Sequence, residues 1–79
     1  MAARLVFLGR LQDLAGGPER EVAATSLDQV LAQLSPELAL AVTDERVRWA
    51  LNGELIAEQG GIVLGDGDEL AFLPPVSGG

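Results

Sequence analysis

Seventy-nine residues, 48% of them hydrophobic, are enough for one small buried core, and no apolar run approaches the ~20 residues a membrane-crossing helix needs. His, Cys and Lys are all absent, which excludes disulfides, thiol nucleophiles, Ser-His dyads, zinc sites of the usual ligands, Walker-type phosphate loops and Schiff bases. Twelve carboxylates against five arginines leave a net charge of −7, a balance that repels a nucleic-acid backbone and suits a basic protein partner.

The opening, MAARLVFLGRLQD, lacks the longer apolar stretch and small-residue cleavage site of a signal peptide, so a soluble cytoplasmic protein is expected. RLVFLG at 4–9 is rich in strand formers and stopped by Gly9, which predicts a first strand. RLQDLAGGPE follows, with Leu11 and Leu14 three apart before a Gly16-Gly17-Pro18 breaker. It reads as one helical turn or a loop with two buried leucines. REVAA at 20–24 then predicts a second strand, able to pair with the first.

TSLDQVLAQLSP carries the clearest local signal. Ser26 with Gln29 three residues on fits a capping box, in which side chains satisfy amide groups left unpaired in a first helical turn. Leu27, Val30, Leu31 and Leu34 then form one apolar stripe at helical spacing. Pro36 stops that helix and is suited to begin another short one, with Ser35 as cap and Leu38 and Val42 on one side. TDER at 43–46 reads as a loop. In VRWALNGELIA at 47–57, Asn52-Gly53 predicts a type I′ hairpin, because both positions tolerate positive φ. EQGGIVLGDGD at 58–68 is punctuated by glycine, with Ile62, Val63 and Leu64 adding apolar contact. ELAFL at 69–73 predicts a last strand, ended by Pro74-Pro75, which cannot donate to a sheet ladder.

Strand, strand, helix, strands and a closing strand give an α+β class: a mixed sheet of four to five strands with one main helix across one face. That order describes the ubiquitin-like β-grasp. One helix covers only one sheet face. Alternation puts Leu70 and Phe72 on one side of the last strand and Ala71 and Leu73 on the other. The outer face is either covered by loops such as 58–65 or left open for docking, with Trp49 and Arg48 as candidate anchors; by residue type alone a core position suits Trp49 better. Asp66 and Asp68 lack the spacing of a calcium loop and read as turn formers. No internal cluster has the makings of an active site or a metal site.

The terminus remains. Two prolines stiffen the exit from the sheet, and Val76-Ser77-Gly78-Gly79 follow as an expected flexible tail beyond a folded body at 1–75. Glycine lacks a Cβ, so Gly78-Gly79 can thread a narrow channel in a partner. A carboxylate at the tip is a poor acyl donor until activated, for instance by adenylation, after which a sulfur nucleophile can take it to a thiocarboxylate.

DGDELAFLPPVSGG at 66–79 resembles the C-terminal signature of the small subunit of molybdopterin synthase. RLVFLGRLQDLAG at 4–16 is similar to that family's opening strand and turn, and VRWALNGELI at 47–56 resembles its central hairpin. The resemblance implies a β-grasp sulfur carrier acting in molybdenum cofactor biosynthesis. Gly79 would be adenylated by an enzyme akin to the ubiquitin-activating ones, which consumes the ATP; the chain itself would bind no cofactor. A sulfur donor protein would complete the thiocarboxylate. Val76, Ser77 and Gly78 would enter the synthase large subunit in a heterotetramer, where sulfur passes to cyclic pyranopterin monophosphate. The family pattern places Leu73 against partners, beside Pro74 and Pro75. The chain would thus be the sulfur-donating subunit of an enzyme, with no self-contained active site. Two rival readings share the chemistry: a thiamine-pathway sulfur carrier and a ubiquitin-like protein modifier.

Overall fold

The computed structural model describes residues 2–56 and 61–75. Five strands form one sheet: β1 (Ala2–Phe7), β2 (Glu19–Ala23), β3 (Arg48–Leu51), β4 (Glu54–Ile56) and β5 (Glu69–Leu73), in the spatial order β2-β1-β5-β3-β4. β1 and β5 lie parallel at the centre, with Leu5 beside Leu70 and Phe7 beside Phe72; the other pairs are antiparallel. A parallel pair needs a long crossover. Here almost the whole chain is that crossover, so the closing strand ends in mid-sheet and not at an edge. This is the expected ubiquitin-like β-grasp.

The alternation predicted in the strands sets the core. Leu5, Phe7, Trp49, Leu70 and Phe72 are all buried on the same face. Phe7 stacks on Phe72 at 5.5 Å between ring centroids, and Trp49 meets Phe72 edge-on at 5.3 Å. Trp49 Nε1 donates to the Val42 carbonyl at 2.8 Å, which gives its one polar atom a partner inside the core. Trp49 is therefore a core residue, and the docking role weighed for it is ruled out.

Three short helices cover this face: α1 (Leu11–Ala15), read from sequence as a helical turn or a loop, α2 (Leu27–Ala32), read as the main helix, and α3 (Pro36–Val42), read as a short one. The cause is local. Ser26 Oγ accepts from the Gln29 amide at 3.4 Å to start α2, and Ser35 Oγ accepts from the Leu38 amide at 3.3 Å to start α3 immediately afterwards. Pro36 at the first position of α3 prevents the two from fusing. Leu27, Val30, Leu34, Leu38 and Val42 are buried, as the two stripes predict.

Leu14 departs from expectation. Leu11 is buried, but Leu14 is 48% exposed. Three helical steps leave the two side chains roughly 60° apart around the axis, and α1 is too short to wrap both onto the sheet. Its Gly16, at φ +81°, closes the helix after five residues. In the 61–64 stretch only Leu64 is fully buried, while Val63 is 67% exposed. Backbone bonds from Leu64 to Thr25 and from Leu27 to Ile62 hold this stretch against the start of α2. Residues 57–60, the rest of the loop weighed as a cover for the outer face, lie outside the described residues.

Asn52 and Gly53, at φ 51° and 87°, form the predicted hairpin turn. The Asn52 side chain accepts from the Glu69 amide at 2.9 Å and donates to Asp68 Oδ1 at 3.2 Å. Asp68 also accepts from the Gly65 amide, and Asp66 from the Ala2 amide. The two aspartates are turn formers. The Gly65 amide, seconded by Asn52, holds the Asp68 carboxyl below its ordinary range. Among the described residues, no helix is long and apolar enough to cross a membrane.

Candidate functional site

β5 delivers the chain to the site. The Leu8 amide donates to the Phe72 carbonyl at 3.3 Å, and the strand ends at Leu73, after which Pro74 and Pro75 leave the sheet. Leu73 pairs with Arg48 and is half-buried on the face opposite the core. Half-buried Val6, Ala50 and Ala71 share that face through the β1–β5–β3 register, and Leu55, 69% exposed, adjoins Ala50. Arg48 also lies there and is exposed. Among the described residues, no helix lies on this face. Its other end is charged, with Arg4 bridging Glu19 at 3.2 Å and Glu69 at 3.9 Å. Both pairs are exposed and add little stability. The apolar half of the open face thus sits at the end where the chain departs.

Pro74 is itself braced. Gly9, just after β1, holds φ +56°, and a Cβ there would come within 3.0 Å of Pro74 Cγ. Only a residue without a side chain satisfies both demands comfortably. Gly9→Val should cost about 1–3 kcal/mol through strain and the clash and should displace the Pro74-Pro75 exit. Urea melts, the amide shift of Leu73 and the Cα and Cβ shifts of Pro74 and Pro75 check this; unchanged shifts at full stability would show that Gly9 is not the brace.

On the helical side, the same two prolines wall a groove of about 180 Å³ together with Leu11 and Leu14 of α1, Ala41 of α3 and Val47. Arg10, Asp44 and Arg46 rim it. Asp44 and Arg46 form a two-point pair, Nε to Oδ1 and Nη2 to Oδ2, each at 3.2 Å. That pairing holds the Asp44 carboxyl below its usual range and raises Arg46. No sequence signal marked this groove, because its walls come from three distant segments.

Of the residues proposed from sequence, the structure places Leu73, Pro74 and Pro75 together at the exit. Val76, Ser77, Gly78 and Gly79 lie outside the described residues. Among the described residues there is no buried charged side chain and no cluster of metal-ligating side chains.

Comparisons with known proteins agree with this geometry. The model of the ThiS family matches residues 5–79. The molybdopterin synthase sulfur carrier subunit of Escherichia coli K12 is 36% identical over 81 residues, covering 96% of this chain and 98% of that protein. Among solved structures, the complex of subunits 1 and 2 of molybdopterin-converting factor from Helicobacter pylori matches with a TM-score of 0.72 at 29% identity, covering 100% of both chains. SAMP1 from Haloferax volcanii, a small archaeal modifier protein, matches with a TM-score of 0.76 at 28% identity, again over 100% of both.

Proposed function

This chain belongs to the ThiS family, and from that membership we propose that it is the sulfur carrier subunit of a molybdopterin synthase, working through the carboxylate of Gly79. The observation that carries the reading is the 36% identity, over nearly the whole length of both chains, to the Escherichia coli sulfur carrier subunit. The chemistry of the chain supports it. With no His, Cys or Lys, the folded body offers no imidazole, thiol or amine to carry an acyl or sulfur group. In this reading the reactive group is the terminal carboxylate.

Adenylation by a partner enzyme replaces a poor leaving group with AMP. A persulfide on a donor protein attacks the acyl carbon and expels AMP, and a thiol then reduces the S–S bond of the resulting acyl disulfide to leave a thiocarboxylate on Gly79. Val76, Ser77 and Gly78 carry it into the synthase large subunit. Leu73, Pro74, Pro75 and the apolar half of the open face bear on that subunit in a heterotetramer, and sulfur passes to cyclic pyranopterin monophosphate. The body serves as a handle: rigid where it docks, narrow where it enters.

The test is intact mass spectrometry after incubation with ATP, the adenylating enzyme and a sulfur source. The chain should gain the mass difference between sulfur and oxygen, and the product should then form molybdopterin with the large subunit. A chain that stays unchanged would sink the proposal. The likeness to SAMP1 supports a second reading, a protein modifier, because the two folds superimpose over their full lengths. A ladder of adducts in cell extracts, lost on deleting Gly79, would favour it. Sulfur passing to a thiazole synthase instead would point to the thiamine pathway.

A further inference from the structure

We propose that the groove between α1, α3 and Pro74-Pro75 seats one apolar side chain of the synthase large subunit, with a neighbouring carboxylate of that subunit against Arg10; this rests on the function proposed above. The volume fits. An apolar cavity of about 150 Å³ admits benzene, so about 180 Å³ takes one leucine or phenylalanine side chain. The walls are Leu11, Leu14, Ala41, Val47, Pro74 and Pro75, all apolar.

The rim specifies charge. Arg46 is engaged by Asp44. Arg4 is bridged to Glu19 and Glu69, and Arg20 donates to the Ala15 carbonyl. Arg10, like Arg48 on the open sheet face, makes no ion pair among the described residues, although carboxylates outnumber arginines twelve to five along the chain; of the two, it is Arg10 that stands at the groove. Its position is also unfavourable for the helix. Arg10 occupies the N-cap of α1 without a capping hydrogen bond, where Ser, Thr, Asp or Asn would stabilise and a cation opposes the helix dipole. A local rule broken at one residue, beside an apolar groove and the tail exit, marks a contact made with something else.

The occupant has a mechanical consequence. Pro74 and Pro75 form one wall, so a side chain seated there touches the two residues immediately before the proposed inserted segment. Engagement would fix the direction in which Val76 leaves the body. The open sheet face and the groove then flank the exit from opposite sides.

The test measures binding of the full chain to its large subunit by calorimetry. Leu14→Glu should weaken binding by about tenfold or more and Arg10→Ala by roughly three- to tenfold, with thermal melts unchanged because both side chains lie at the surface. Leu40→Glu, on the 75% exposed outer side of α3, adds the same charge away from the groove and should bind as the parent does. Parent-like binding by Leu14→Glu and Arg10→Ala would overturn the groove assignment while leaving the carrier function standing. Loss of adenylation with intact large-subunit binding would assign the groove to the activating enzyme and refute the occupant named here. A parent chain that never binds the large subunit would refute both readings.

Discussion

Extension of the chain by a single non-cleavable residue beyond Gly79 is expected to abolish sulfur delivery and leave the melting temperature unchanged. The added peptide bond converts the proposed acyl donor into an amide. Its oxygen is a far weaker nucleophile toward the α-phosphorus of ATP than a carboxylate, and the amide has no leaving group once attacked. The fold should be indifferent, because the core runs from Ala3 to Phe72 and the last strand ends at Leu73. Intact mass after incubation with ATP, the adenylating enzyme and a sulfur source reads the chemistry; a thermal melt reads the body. Sulfur delivered by the extended chain would remove Gly79 from the mechanism. A lowered melting temperature would show that the terminus also supports the fold.

Legibility in the sequence followed the range of the interactions. Ser26 and Ser35 were readable because a cap and its partner amide are three residues apart, and Asn52-Gly53 because a hairpin turn is a statement about two backbone angles. Strand alternation put Leu70 and Phe72 on one face of the last strand and Leu73 on the other, without saying which face the helices would cover. Periodicity did not say that the helices begun at Ser26 and Ser35 would be of similar length. It also did not say that α1 would bury Leu11 and leave Leu14 on a groove wall. Both depend on where distant segments pack. The rim charges show the same limit: Arg10 and Pro74 are far apart along the chain and meet only because β5 inserts beside β1. The tail motif could be read at once because it is contiguous, yet the chemistry proposed for it needs another protein.

Phe72→Ala and Leu73→Asp should fail in opposite ways, although the two positions are adjacent. Phe72 is fully buried between Phe7 and Trp49, so its truncation removes both aromatic contacts and leaves a cavity at the centre of the sheet. About 3–5 kcal/mol should be lost, out of a total that is about 5–15 kcal/mol for native domains and near the lower end for one this small. Urea unfolding should show a midpoint reduced to a small fraction of the parent value, with partner binding falling in proportion to the folded fraction. Leu73 points to the open face beside Arg48, where a strand substitution costs at most about 1 kcal/mol. Its replacement by Asp puts a charge into the apolar contact proposed for the large subunit. Binding should drop about a hundredfold, as for a central interface residue, at nearly parental stability. A Leu73→Asp chain that unfolds like Phe72→Ala would place the side chain in the core and remove the outer face from the interface. One that binds normally would leave the handle without its grip.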